Sequence, residues 1–162
     1  MTGLWIAVSA PAFCMTPEEA YRAIPHQRTV FDAKAGAMSE DEKRFLEVFF
    51  ELVDSAIVLK VEAMQTRPAL MGADYQSLKA RLESLETPPK LSHVKKLVHE
   101  AIKAQEAYLA QSPRPAFASN DKVGQASQKL REAYGEIMSL YPNEKPRNKQ
   151  AFFDYLCALD FL

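Results

Sequence analysis

The sequence contains few of the residues on which common cofactor and nucleic-acid sites depend. Its 162 residues include only 5 glycines and 3 histidines. The glycines, at positions 3, 36, 72, 124 and 135, match neither of the spacings that build a phosphate-binding loop. Lysine and arginine together number 20 against 21 aspartate and glutamate, so the chain lacks the excess positive charge that favours nucleic-acid binding. We therefore expect no nucleic-acid partner.

The short motifs of metal and nucleophile chemistry are also missing. There is no C-x-x-C-H sequence for covalent haem and no G-x-S-x-G turn for a nucleophilic serine. The Glu-x-x-His pattern of di-iron bundles fails because Ala23, Lys90 and Lys96 stand three residues before the histidines. Cys157 lies in an apolar C-terminal stretch, where we expect a buried, unreactive thiol. An enzyme is thus the least supported class, and the sequence predicts no metal site and no cofactor.

What the chain has instead is apolar residues, 48% of the total, at helical spacing. From Phe45 to Met64 they recur at steps of three and four residues, which is the pattern of a helix with one buried face. No segment alternates with a period of two, so no strand is predicted. We predict an all-α fold: an antiparallel helical bundle of about four main helices, with a short N-terminal helix and an irregular extension.

Capping signals and prolines set the predicted helix boundaries. Ser39 and Glu42 form a capping box, and Asn120 is placed to cap a later helix. The predicted ranges are 16–24 for the short first helix, then 39–65, 74–85, 91–110, 121–140 and a last helix from 146. We also expect Val30 and Phe31, in the irregular extension, to dock on the core.

Apolar stripes along these helices define the expected core. Each stripe implies that its helix packs against a neighbour on that side, and the broad stripe over 39–65 implies two or more neighbours. The expected core residues are Phe45, Phe49, Phe50, Leu52, Val53, Ala56, Ile57, Leu59, Val61, Ala63, Met64, Tyr75, Leu78, Leu82, Leu85, Leu91, Val94, Val98, Ala101, Ile102, Gln105, Leu109, Val123, Leu130, Tyr134, Ile137, Tyr141, Phe152, Phe153, Leu156 and Leu159.

Residues 1–14, MTGLWIAVSAPAFC, carry no charge and have the pattern that ends a secretion signal. The apolar run within them is too short to span a bilayer, so we predict no transmembrane segment. We predict that residues 1–14 are a signal remnant, that residues 15–162 form a single domain, and that the protein is periplasmic or secreted. The alternative is an apolar N-terminal arm on a cytoplasmic protein. If Cys14 is retained, it is available to pair with Cys157 in an oxidising compartment.

Three residues are candidate ligand contacts: Lys60, His93 and His99. Lys60 interrupts the apolar stripe between Ala56 and Ala63. Its ammonium therefore either reaches the surface or a carboxylate of another helix, or points into a cavity and holds an anionic ligand. His93 and His99 are predicted on opposite flanks of their helix, about 120° to either side of its buried face, so they cannot share one metal ion.

Charge is unevenly distributed between two of the predicted helices. Acidic residues predominate over 39–62, whereas basic residues predominate over 90–103. The two segments are either neighbours with complementary faces, or the basic segment meets an acidic partner. Exposed ion pairs add little stability, so charge alone does not choose between these arrangements.

These observations predict a binding protein. We expect an exported helical bundle that binds another protein or a small ligand rather than catalysing a reaction. The alternative is a bundle that binds haem non-covalently or holds a metal ion. For a protein partner, the favoured contact surface is the aromatic-rich C-terminal segment FFDYLCALDFL, and a homodimer formed through this segment is a testable variant. The alternative is that this segment packs on the protein's own core, which is the more common outcome for a terminal amphipathic helix.

Overall fold

The computed structural model describes residues 29–65, 72–111 and 120–160. These ranges contain helices, two short 3-10 turns at Ala33–Ala35 and Pro89–Leu91, and no strand. The helices are α1 (Glu40–Gln65), α2 (Gly72–Ser84), α3 (Ser92–Leu109), α4 (Asp121–Leu140) and α5 (Pro146–Asp160). The all-α prediction is confirmed, and none of the described helices has both the length and the hydropathy needed to cross a membrane. The helix predicted over 16–24 and the signal remnant predicted over 1–14 lie outside the described residues.

Helix boundaries follow the predicted capping residues. Ser39 N–H donates to Glu42 Oε2 at 2.9 Å, and Glu42 N–H donates to Ser39 Oγ at 3.4 Å, which is the expected capping box. Asn120 Oδ1 accepts a hydrogen bond from Lys122 N–H at 3.0 Å where α4 begins. The largest difference is at α2, which begins at Gly72 rather than at Asp74. Shifts of one or two residues are usual, because helix ends are defined by few hydrogen bonds.

Side-chain contacts show that consecutive helices from α2 to α5 run in opposite directions. His93 and Glu100 of α3 face Glu136 and Lys129 of α4, so residue numbers rise along one helix as they fall along the other. The corresponding contacts between α2 and α3, and between α4 and α5, are His99–Glu83, Lys79–Glu106, Tyr134–Phe153 and Ser127–Asp160. These helices therefore form the antiparallel arrangement that was predicted.

Helix α1 packs against α2, α3 and α5, as its broad apolar stripe predicted. Aromatic rings fill the contact with α5: the Phe50 ring lies 5.8 Å from the Phe152 ring and 4.5 Å from the Tyr155 ring. Burial of this surface is the main favourable contribution to folding. Two predicted core positions are wrong, because Met64 is 46% exposed and Phe153 is 39% exposed. Neighbouring helices do not fully cover these two sides of α1 and α5.

Residues 29–38 form an irregular segment, here called the strap, which α5 holds by its buried polar side chains. Thr29 N–H donates to Asp154 Oδ2 at 2.8 Å, and Asp32 N–H donates to Asn148 Oδ1 at 2.9 Å. Asn148 and Asp154 are buried, at 0% and 2% exposure. Buried polar groups need such partners, so these bonds fix the position of the strap.

An aromatic side chain of the strap also contributes to the core. The Phe31 ring lies 5.8 Å from the Phe50 ring and 5.9 Å from the Phe152 ring. Its neighbour Val30 is 62% exposed, so the prediction that Val30 docks on the core is wrong. Of these two neighbours, only Phe31 reaches the core.

Candidate functional site

Lys60 lies in the interior of the bundle, where only 2% of its surface is exposed. Its Nζ donates to the carbonyl oxygen of Leu159 at 2.5 Å, and Gln105 Nε2 donates to the same oxygen at 2.7 Å. Leu159 is in the last turn of α5, where backbone carbonyls have no partner within their own helix. Helices α1 and α3 therefore cap α5 together. We call Lys60, Gln105 and Leu159 the Leu159 joint.

The interior position disfavours a charge on Lys60. Burial lowers the pKa of Lys60 to about 7, and Asp160 and Cys157 on α5 oppose this effect only in part. The ammonium does not reach the surface, which was one of the two expectations for it. It contacts a backbone carbonyl of the chain itself. Ligand binding by Lys60 stays a prediction.

His93 and His99 face different neighbours on the two sides of α3. His93 Nδ1 pairs with a carboxylate oxygen of Glu136 on α4. His99 faces α2, where Glu83 Oε1 lies 3.3 Å from Nε2 without completing a hydrogen bond. Burial lowers the pKa of His99, although Glu83 opposes the shift. Lys60, His93 and His99 thus contact different residues and are not brought together in one site, and ligand binding by the two histidines stays a prediction.

The described residues offer neither a metal-ligand cluster nor an activated thiol. Within the described ranges, no three His, Cys, Asp or Glu side chains cluster in a way that would hold a metal ion. Cys157 is half-buried, and burial together with Asp160 and Asp154 raises the pKa of its thiol despite the presence of Lys60. A raised pKa reduces the thiolate fraction, which makes the sulfur a weaker nucleophile.

A groove of about 870 Å³ lies between the first turns of α1 and the connection from α2 to α3. Its apolar lining consists of Phe45 and Val48 from α1 and of Leu85, Pro88 and Pro89 from the connection. Val48 is 38% exposed, whereas Phe45 beneath it is buried. The volume falls in the range of about 300–1,000 Å³ that is typical of ligand-binding clefts. We call this feature the Val48 groove.

An ion pair between α1 and the turn before α3 forms one end of the Val48 groove. Lys90 Nζ lies 2.5 Å from Glu42 Oε1 and 4.6 Å from the centre of the Tyr141 ring. Burial opposes the ionisation of Glu42, but hydrogen bonds from Lys90 and Ser39 outweigh burial and lower the pKa of Glu42. The acidic and basic segments of the sequence are therefore neighbours at this point, which was one of the two arrangements expected for them.

Carboxylates around the Val48 groove outnumber cations. The acidic residues that line it are Asp41, Glu42 and Glu86, against Arg44 and Lys90. Arg44 pairs with Asp41, and Lys90 with Glu42. The remaining carboxylate, Glu86, gives the groove a negative rim above its apolar floor.

A second exposed apolar feature lies on α5. The Phe153 ring meets the Tyr134 ring of α4 edge-on, with 5.7 Å between ring centres, and both line a groove of about 450 Å³. Most other apolar residues of the predicted C-terminal contact surface are buried: Phe152, Tyr155, Leu156, Ala158 and Leu159. Among residues 152–160, the part of that segment that the structure describes, the exposed aromatic side chain is Phe153.

Val48 is not among the candidate residues that the sequence indicated. A signal for it exists, because Val48 stands between Glu47 and Glu51 on the polar side of an amphipathic helix. Single exposed apolar residues are common, however, and carry little information by themselves. Only the structure shows that Pro88 and Pro89 lie beside it and make the surface concave.

Comparisons of this chain with protein-family models, with curated proteins and with solved structures give no match. A functional proposal for this protein therefore rests on the contacts, exposure and charges of its own residues.

Proposed function

We propose that this protein acts by binding a segment of another protein in the Val48 groove, rather than by catalysis. The observation that carries the proposal is the exposed side chain of Val48, at 38%, in a concave surface whose other apolar members are Phe45, Leu85 and two prolines. Apolar surface that is exposed within a concavity and rimmed by polar residues is typical of protein-interaction sites. The free energy of binding would come from burying this surface.

The buried polar residues support a binding role because the contacts described for them maintain the fold. Lys60 and Gln105 cap α5, and Asn148 and Asp154 hold the strap. None of these four residues lines the Val48 groove. These four buried groups are thus used for structure away from the groove, and the buried carboxylate that does line it, Glu42, is held by Lys90 and Ser39.

The negative rim of the Val48 groove favours a basic partner segment. A partner that places an apolar side chain against Val48 and a lysine or arginine near Glu86 would complement both the apolar floor and the negative rim. Complementary charge of this kind mainly speeds association and selects between partners. The binding should therefore weaken as the salt concentration rises.

The test uses two positions that are matched in exposure, Val48 at 38% and Phe153 at 39%, on different faces of the protein. A photo-reactive amino acid is placed at one position or the other, and each protein is irradiated in an extract of the cells that make it. We expect one cross-linked product of defined mass from position 48 and none from position 153. The Val48→Glu substitution in the untagged protein should then abolish its complex with the partner identified by cross-linking.

Further variants test the charge argument. Glu86→Lys, on the rim, should weaken binding of the cross-linked partner, whereas Glu132→Lys, exposed on α4, should not. Cross-linking from position 153 alone would contradict the proposal. It would show that the partner binds the C-terminal segment instead. A product with twice the mass of the chain would instead show a homodimer, and equal yields from both positions would show non-specific contact.

We also propose that the protein is exported, on the basis of the uncharged apolar pattern of residues 1–14. The intact mass and N-terminal sequence of the protein from its natural source test this. A mature chain that begins at Met15 is expected, and a chain that begins at Met1 would contradict export with cleavage. Trp5 is the single tryptophan, so the processed protein should also lack indole fluorescence.

A further inference from the structure

The Leu159 joint places an amine in the interior at the point where three helices meet. Lys60 from α1 and Gln105 from α3 share one acceptor, the carbonyl oxygen of Leu159, at 2.5 Å and 2.7 Å. Lys60 and Leu159 are 2% and 0% exposed. Hydration of the amine therefore requires that the end of α5 move away from α1 and α3.

The groups that face Lys60 differ between the helices packed around it. From α5, the titratable groups that act on it are Asp160 and Cys157. From α3, Gln105 contributes an uncharged amide. Asp160 is also engaged by α4, because Ser127 Oγ donates to Asp160 Oδ2 at 3.0 Å. The carboxylate that favours the charged amine is thus shared with another helix.

Protonation changes the cost of closing the joint. An uncharged amine still has N–H groups, so it keeps its hydrogen bond to Leu159. The ammonium carries a charge that the closed packing holds away from water, and it recovers hydration only in an open state. Because burial lowers the pKa of Lys60 to about 7, both forms are populated near neutral pH.

We propose that Lys60 is a pH-sensitive latch: gain of a proton favours separation of the last turn of α5 from α1 and α3, and loss of the proton favours the closed joint. Separation exposes Ala158 and Leu159, which are buried in the closed state. The motion is confined to one end of α5, because Asn148 and Asp154 bind the strap along the rest of the helix. This inference does not depend on the proposed function of the Val48 groove.

Amide hydrogen exchange tests the latch. Protection factors, which remove the intrinsic effect of pH on exchange, are measured for Ala158 and Leu159 at pH 6 and pH 8, with Ala133 in α4 as an internal reference. In the wild-type protein we expect protection at Ala158 and Leu159 to be about tenfold lower at pH 6 than at pH 8. Opening binds a proton only above the closed-state pKa of about 7, so about one of these two pH units contributes a factor of ten. In Lys60→Met the protection should be the same at both pH values.

A second lysine provides a matched control. Lys95 Nζ donates to the carbonyl oxygens of Glu83 and Leu85 at 3.2 Å and 3.0 Å, so it caps the end of α2 as Lys60 caps α5, but it is only half-buried. Lys95→Met should leave the pH dependence at the end of α5 unchanged. Gln105→Leu should lower the protection of Ala158 and Leu159 at both pH values. The ratio of the protection factors at pH 8 and pH 6 should stay the same.

Several results would overturn the latch. One is equal protection of wild-type Ala158 and Leu159 at the two pH values; another is the same pH dependence in Lys60→Met. A third is exchange at Ala158 and Leu159 that matches Ala133 in rate and in urea dependence, because it would show global unfolding rather than local opening. If Lys60→Met does not fold, NMR titration of the Lys60 side chain in the wild-type protein decides: a midpoint near 7 is expected, and one above about 9, close to the ordinary lysine value, overturns the proposal.

Discussion

Lys60 and Gln105 donate to the same acceptor, the backbone carbonyl of Leu159, from two different helices. The two donors are 99 and 54 residues away from Leu159 in the sequence. Their bonds satisfy a carbonyl that α5 leaves open at its C-terminal end. The arrangement also keeps an ionisable amine in the interior, which costs free energy whenever the amine is charged.

Lys60→Met should stabilise the protein at pH 6 by about 1–3 kcal/mol, because it replaces a buried cation with an apolar chain and leaves the Gln105 donor in place. The folded-state pKa of Lys60, about 7, lies below the unfolded-state value. The unfolded chain therefore binds more protons above about pH 7, and wild-type stability should rise with pH by up to about 1.4 kcal/mol per unit. Urea unfolding, measured from pH 6 to pH 9, should show that the variant's higher free energy of unfolding approaches the wild-type value as the pH rises. A variant that is less stable by the same amount at every pH would contradict this.

Asn148→Ala should destabilise the protein by about 2–4 kcal/mol and loosen the strap. Asn148 Oδ1 accepts from Asp32 N–H at 2.9 Å, and Asn148 Nδ2 donates to Asp32 O at 3.0 Å, so the change leaves both backbone groups without this partner. Chemical denaturation gives the stability, and limited proteolysis reports on residues 29–38. Asn143→Ala is the control, because Asn143 is exposed just before α5, and it should change stability by less than about 0.5 kcal/mol. Equal effects of the two changes would show that the strap does not depend on Asn148.

Glu42→Gln should destabilise the protein at pH 7 by about 1–2 kcal/mol, because a charged partner of Lys90 and Ser39 is lost. The folded-state pKa of Glu42 is lowered, so its contribution is present above the unfolded-state value near 4.5 and is lost as the pH falls through the folded-state value. The difference between wild type and variant should therefore disappear towards pH 3. Glu40→Gln is the matched control in the same turn, with a side chain that is 80% exposed. If the difference in free energy of unfolding between wild type and variant persists at low pH, the charge of Glu42 is not the source of its contribution.

Cys157 should react slowly with a thiol reagent such as dithionitrobenzoate. Burial and two nearby aspartates raise the pKa of its thiol, and the side chain is half-buried. In Cys14→Ser, where Cys157 is the single thiol, we expect the folded protein at pH 8 to react at least about tenfold more slowly than the same protein unfolded in guanidinium. A folded-state rate equal to the unfolded rate would contradict the raised pKa.

Helix positions were predictable because their signals are local. The capping box of Ser39 and Glu42 and the cap at Asn120 lie within a few residues of the helix ends that they stabilise. The range predicted for the helix over 121–140 is the range of α4, Asp121–Leu140. Each of these signals acts through the backbone of its own segment, so the rest of the fold was not needed to interpret it.

Burial was predictable for the middle of each apolar stripe but not for its edges. Gln105, predicted in the core from its position alone, is 2% exposed, whereas Val30, Met64 and Phe153 are exposed. Whether an edge position is covered depends on the shape of the neighbouring helices, and that shape is set by the whole bundle rather than by the stripe. For the same reason the sequence predicted a C-terminal contact surface of which, within the described residues 152–160, Phe153 is the exposed aromatic residue.

The sequence by itself determined that the chain is helical, where its described helices begin and end, and that Lys60 lies on an apolar face. The tertiary structure decided what Lys60 contacts, because its acceptor is a carbonyl at the end of a helix 99 residues away. It also decided that Val48 lies in a groove, since the prolines beside it come from the connection between two other helices. Capping and periodicity act over a few residues along the chain, whereas a partner supplied by another helix is fixed only when the helices pack.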